Sequence, residues 1–253
     1  GGGAAKTWTY NPASETVDEN DVATYEFGDD VLTDWFQFGD GILDSVEFTG
    51  PDGLGPISAS ATWRFGSVAS TGSTDSPVTG SVPTPALSVD TAAAIVYLKD
   101  MAIYIADTFA GLSAGQVSDA LHNFALRLSV ETDEKRWANG DQSFDVDAYS
   151  PGMRSIELEC SWAKTSDTVG TGSESDDWLS DDAANRYVRL LFLSPVIAQA
   201  PSTYYGWTVD MPMRYYTRTE GKVGQNSVVV LTGKAFFDPD QMDGVFQSVV
   251  VNT

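Results

Sequence analysis

The chain has 253 residues, 42% of them hydrophobic and 11% aromatic, enough for one large β domain or two small ones with a real core, and too apolar for a wholly disordered polymer. There are 36 acidic residues against 14 basic ones, a net charge of −22. That balance argues against a nucleic acid gripped by basic patches and against docking to an anionic membrane surface.

The chain opens on GGGAAK without a starting Met or a signal-peptide pattern, which reads as a processed or partial product. Alternation then dominates. ATYEFG (23–28) and WFQFGDGILDSVEF (35–48) are rich in β-branched and aromatic residues and read as strands, and GPDGLGP (50–56) marks a turn. ISASATWRF (57–65) follows, with Ile57, Ala59, Ala61 and Trp63 on one face and Ser58, Ser60 and Thr62 on the other. STGSTDSPVTGSVPTP (70–85) has almost nothing apolar to bury and predicts a linker or long surface loop. The chain therefore divides into an N-terminal β region (1–69), a linker or loop (70–94) and a β domain (95–253).

In the third part, YLKDMAIYIAD (97–107) and NFALRLSVE (123–131) read as strands, the latter with Phe124, Leu126, Leu128 and Val130 opposite Ala125, Arg127, Ser129 and Glu131. A connection over 132–153 follows, with the turn signals ANGD (138–141) and SPG (150–152). IELECSWAK (156–164) then repeats the earlier pattern, reaching Trp six residues after Ile, with Glu157, Glu159 and Ser161 on the polar side. SESDDWLSDDAANR (173–186) predicts one short helix over about 174–184, capped by Ser173 or Ser175, with Trp178 and Leu179 packing on a sheet. RYVRLLFLS (186–194), YYGWTVDM (204–211), NSVVVLTGKAFF (226–237) and VFQSVVVN (245–252) complete the strands, with turn signals at TEGKVGQN (219–226) and DPDQMDG (238–244).

The repeat extends to pairs of segments. ILDSVEF (42–48) precedes the first Ile-to-Trp strand and ALHNFAL (120–126) the second, so each pair reads as a β-hairpin with one apolar and one polar face. Coincidence between amphipathic strands and an ancient duplication both account for it. The acidity likewise has two readings: ordinary solubility, or a high-salt environment in which a dense carboxylate surface stays hydrated.

Enzymatic signals are weak. His122 is the one histidine, without a Ser or Cys partner nearby in sequence, and Cys160, the one cysteine, falls on the apolar register of its strand. One His and one Cys do not make a zinc site, and no G-x-S-x-G, P-loop or dinucleotide fingerprint occurs. Close carboxylates are expected by chance among 36 acids, so they do not indicate a glycosidase. Asp238, Asp240 and Asp243 offer oxygen to a calcium ion, but their spacing misses the EF-hand pattern and a turn explains them without metal. No apolar run approaches the ~20 residues of a membrane span. The expectation is a non-enzyme with no cofactor.

Over roughly 95–253 the order of elements resembles the major tail tube proteins of long-tailed phages and related viruses. SDALHNFALRLSVET is similar to the family's strand entering the tube wall, and MRSIELECSW to the returning strand. The helix SDDWLSDDAA, the strands RYVRLLFLS and YYGWTVDMPMRYY, and the closing GQNSVVVLTGKAFFDPD and SVVVN follow in the family's order. IYIADTFAGLSAGQVSDAL is similar to the lead-in of actinobacterial and archaeal virus tail proteins.

The resemblance implies a tail-tube-type β-sandwich or split barrel with one short flanking helix. Copies form rings, usually of six, that stack into a tube; the inner sheets of neighbours join, and double-stranded DNA passes through during ejection. A trimer of duplicated domains is the alternative ring. Other tail proteins would be partners, the virion tail the location, with host cytoplasm during assembly, and no membrane. On this reading Ser155, Glu157, Glu159, Ser161, Arg127, Ser129 and Glu131 face the lumen, with Ser58, Ser60 and Thr62 as the counterpart, and Arg127 and Arg64 pair with acids on neighbouring strands. The 132–153 loop reaches the next ring through Lys135, Arg136, Trp137, Phe144 and Tyr149. Competing classes are another virion structural protein, such as a capsid decoration protein or distal tail ring, and a carbohydrate-binding β-sandwich.

Overall fold

The computed structural model describes residues 6–10, 23–29, 34–51, 55–70, 96–114, 116–117, 121–135, 148–163, 186–199, 203–240, 242 and 247–252. In chain order the strands are β1 (Lys6–Tyr10), β2 (Ala23–Asp29), β3 (Asp34–Gly50), β4 (Ser58–Arg64), β5 (Ser67–Ser70), β6 (Met101–Ala106), β7 (Gln116–Val117), β8 (Leu121–Lys135), β9 (Ala148–Ala163), β10 (Arg186–Gln199), β11 (Thr203–Val223), β12 (Asn226–Ala235) and β13 (Gln247–Asn252). They form one antiparallel sheet that curls into a half-barrel. Its path is β2-β3-β8-β9-β12-β11-β10-β6-β7, with β4 and β5 on β3, β13 on β11 and β1 on β13. The N-terminal region and the 95–253 region are thus continuous, joined by the β3–β8 ladder from Ser45↔Ser129 to Gly50↔Phe124.

Alternation sends every second residue to the concave side. Phe124 and Leu126 of β8, Ile156, Leu158, Cys160 and Trp162 of β9, Val188, Leu190 and Phe192 of β10, Val209, Met211 and Met213 of β11, and Val229 and Leu231 of β12 make one core. Each such large side chain contributes about 1.5–3 kcal/mol by leaving water. Aromatic contacts show the curl directly. Phe48 of β3 lies 4.6 Å from Trp207 of β11, although three strands separate β3 from β11 along the path, and Trp207 stacks on Phe192 at 4.9 Å.

The repeated pattern is repeated in space. Phe48 pairs with Ala59 in the first hairpin, and the corresponding Leu126 pairs with Leu158 in the second. Glu47↔Ser60 and Ala125↔Glu159 correspond in the same way. Phe48 and Leu126 are also each other's cross-strand partners, so a local two-fold axis through that pair relates β3–β4 to β8–β9.

Several boundaries differ from those read in the sequence. The strand expected over 97–107 begins as a 3-10 turn, Leu98–Asp100, because the Asp100 carboxylate accepts a hydrogen bond from the Tyr97 amide at 3.3 Å. β11 continues past 211 through Pro212 to Val223, and the broad turn expected at 219–226 narrows to Gly224–Gln225. Gly224 has φ 60°, the left-handed conformation such a two-residue hairpin demands. SPG at 150–152 lies inside β9, and the β8–β9 ladder reaches Lys135↔Ala148, so both ends of the loop expected at 132–153 are strand. Residues 136–147, the helix expected at about 174–184 and the linker at 71–94 lie outside the described residues.

Candidate functional site

The polar residues of both hairpins fall on one face of one sheet. Three transverse rows follow from the ladders. Ser60, Glu47, Arg127, Glu157, Lys234 and Arg214 run across β4, β3, β8, β9, β12 and β11. On one side lie Ser58, Thr49, Ala125, Glu159, Thr232 and Thr217; on the other lie Thr62, Ser45, Ser129 and Ser155.

The central row is an electrostatic ladder. Arg127 donates from Nε to Glu47 Oε1 at 2.7 Å and from Nη1 to Glu157 Oε1 at 3.3 Å. The Glu47 hydrogen bond, opposed by some burial, raises the Arg127 pKa further, so the guanidinium is always charged. The other oxygen of Glu157 accepts from the Tyr216 hydroxyl at 2.9 Å. Burial first, and this hydrogen bond second, push the Tyr216 phenol up. The Lys234 ammonium lies 6.0 Å from the Tyr216 ring centroid. A β-bulge between Tyr215 and Thr217 puts Tyr215 in the core while Tyr216 stands on the polar face. Arg64 likewise binds Asp44 at 2.9 Å. The cross-strand pairing expected for Arg127 and Arg64 is therefore present.

The polar face is not uniformly acidic. Glu47, Glu157 and Glu159 are matched by Arg127, Lys234 and Arg214, so the centre of the face is charge-balanced in a chain of net charge −22. Ser129 and Ser155 pair directly and are half-buried, and Glu131 is exposed beside a register shift. Ser161 shares the register but is buried, so the accessible surface ends at Glu159. The face also recruits residues that sequence reasoning missed. Glu47 and Ser45 were legible in the alternation of ILDSVEF; Tyr216 was not, because only the bulge turns it outward.

Among the inter-ring candidates, Lys135 and Tyr149 sit in the β8–β9 ladder opposite Ala148 and Glu134, while Arg136, Trp137 and Phe144 lie outside the described residues. Asp238 accepts hydrogen bonds from the Tyr187 hydroxyl and, at 3.2 Å, from the Asp240 amide, which makes it a turn-forming residue; Asp243 lies outside the described residues. No group of three or more His, Cys, Asp or Glu among the described residues is arranged to hold a metal. Cys160 is wholly buried, and burial, then Glu159, push its thiol far above the ordinary range. No helix among the described residues is long and apolar enough to cross a membrane. No family model and no curated protein matches the chain.

Proposed function

We propose that the chain is a structural subunit of a viral tail tube, whose copies assemble into stacked rings with the polar sheet face lining a channel for double-stranded DNA. The observation carrying this reading is the continuous polar face across β4, β3, β8, β9, β12 and β11, opposite a well-packed core. A channel wall must let a polyanion slide without holding it. Hydroxyls and internally paired charges meet that need: Arg127 is occupied by Glu47 and Glu157 and offers little to a phosphate. The order of elements from 95 to 253 adds the resemblance described above. Electron microscopy of the purified protein tests the proposal. Rings or tubes with an axial channel are the expected result; monodisperse single particles at every concentration and salt would overturn it.

A further inference from the structure

Charge is unevenly placed along the chain. The thirteen strands hold 13 acidic and 11 basic residues, a net charge of −2. That leaves 23 of the 36 acids and 3 of the 14 bases outside the strands, a net charge of −20. Residues 11–22 carry Glu15, Asp18, Glu19 and Asp21 with no Lys or Arg, and residues 164–185 carry six acids against Lys164 alone.

The two populations respond to salt in opposite directions. Within the strands the charges attract: Arg64 meets Asp44 at 2.9 Å, Arg127 meets Glu47 and Glu157 at 2.7 and 3.3 Å, and Arg189 meets Asp210 at 2.6 Å. Outside them like charges predominate, and their repulsion favours the expanded chain over the compact one. Screening weakens attraction and repulsion alike, so the range of each decides which is lost. The screening length falls from about 10 Å at 0.1 M salt to about 3 Å at 1 M. The strand pairs are in contact at about that shorter length and largely survive, the more so for Asp210, which is buried. Like charges are not drawn into contact, act over longer distances, and lose their repulsion.

We propose that the folded chain is built for a medium of high ionic strength, and that its ligands are hydrated monovalent cations held diffusely by the carboxylates outside the strands. The balanced strands supply ion pairs that resist salt, while the remaining charge of −20 makes the fold depend on cations at low affinity. The binding is collective and does not saturate at one site. This inference does not rest on the tube reading, because it concerns the fold of the single chain.

Thermal unfolding in KCl from 0.1 to 1 M tests it, at two protein concentrations and for three proteins. One is the native chain. The second, E15Q/D18N/E19Q/D21N, neutralises four acids outside the strands. The third, D44N/E47Q/E157Q/E159Q, neutralises four within them, so both variants have a net charge of −18. The native midpoint should rise by several degrees over the series. Self-repulsion scales with the square of the charge, so taking the charge outside the strands from −20 to about −16 should shrink the rise by about a third. The third protein should show a rise no smaller than the native one, because it loses attraction and keeps the full repulsion. A native midpoint that stays level or falls would overturn the inference. So would a rise confined to the higher protein concentration, which association explains, or equal shrinkage in both variants, which total charge alone would give. Should the third protein fail to fold, the second decides: a rise undiminished from the native one refutes the inference.

Discussion

Neutralising Glu47 and Glu157 together should give the polar face an affinity for DNA that the native chain lacks. Glu47→Gln with Glu157→Gln leaves Arg127, Lys234 and Arg214 against Glu159, a change from balance to a local charge of about +2. Two fields then compete. The whole chain remains strongly acidic and repels a polyanion, while the patch attracts it. From β3 to β11 the row spans four strand spacings, about 20 Å. At 0.01 M salt the screening length is about 30 Å, so the whole-chain charge is felt and repulsion wins; at 0.1 M it is about 10 Å and the patch decides. The Arg127 bonds to the two acids are exposed, so their loss should cost only about 0.5–1 kcal/mol and leave the fold intact. The assay is retention of a short DNA duplex by the variant and the native chain across a salt series. Binding by the variant should be weak, peak near 0.1 M and fall with further salt, with a slope corresponding to about two or three released counterions. A native chain that binds equally well, or a variant that never binds, would refute the argument that internal pairing keeps the face inert.

Two further outcomes follow from the core. Asp210 is buried and takes two hydrogen bonds from Arg189, at 2.6 and 2.9 Å; Asp210→Ala strands a partly exposed guanidinium and should cost about 2–4 kcal/mol in urea unfolding, well above the loss from Arg127→Ala, and equal losses would contradict the burial argument. The Cys160 thiol should resist a thiol-specific reagent at pH 8 in the native protein and react fully once urea unfolds it; rapid native labelling would show β9 opening on its own.

Strand identity was largely legible because binary alternation and β-branched composition point the same way along most of the chain. β9 is the clear case: Ile156, Leu158, Cys160 and Trp162 are buried as a set, and Glu157 and Glu159 stand on the other face. What the residues did not disclose were properties that depend on pairing. The extension of β11 to Val223 runs through Pro212, a residue that usually argues against a central strand; here it pairs with Tyr187, and its carbonyl accepts from the Phe236 amide at 3.1 Å. The bulge at Tyr216 has no sequence signal beyond two adjacent tyrosines. The balance of the polar face was hidden for the same reason: Lys234 and Arg214 join Glu157 only through the β9–β12–β11 ladders, between segments far apart in the chain.

The pattern written twice in the sequence therefore carries two consequences of different kinds. On the polar side, the two hairpins merge into one surface, because an antiparallel β3–β8 ladder keeps their polar faces on the same side of the sheet. On the apolar side they diverge. The second hairpin adjoins β12 and is sealed into the core, with Leu158 and Cys160 wholly buried; the first ends at β4, where the equivalent alanines meet solvent. Residue size matches that difference, since Ala59 and Ala61 expose far less apolar surface than Leu158 and Cys160 would at the same positions. The first hairpin keeps the register of the second but carries small residues suited to a solvent-exposed face.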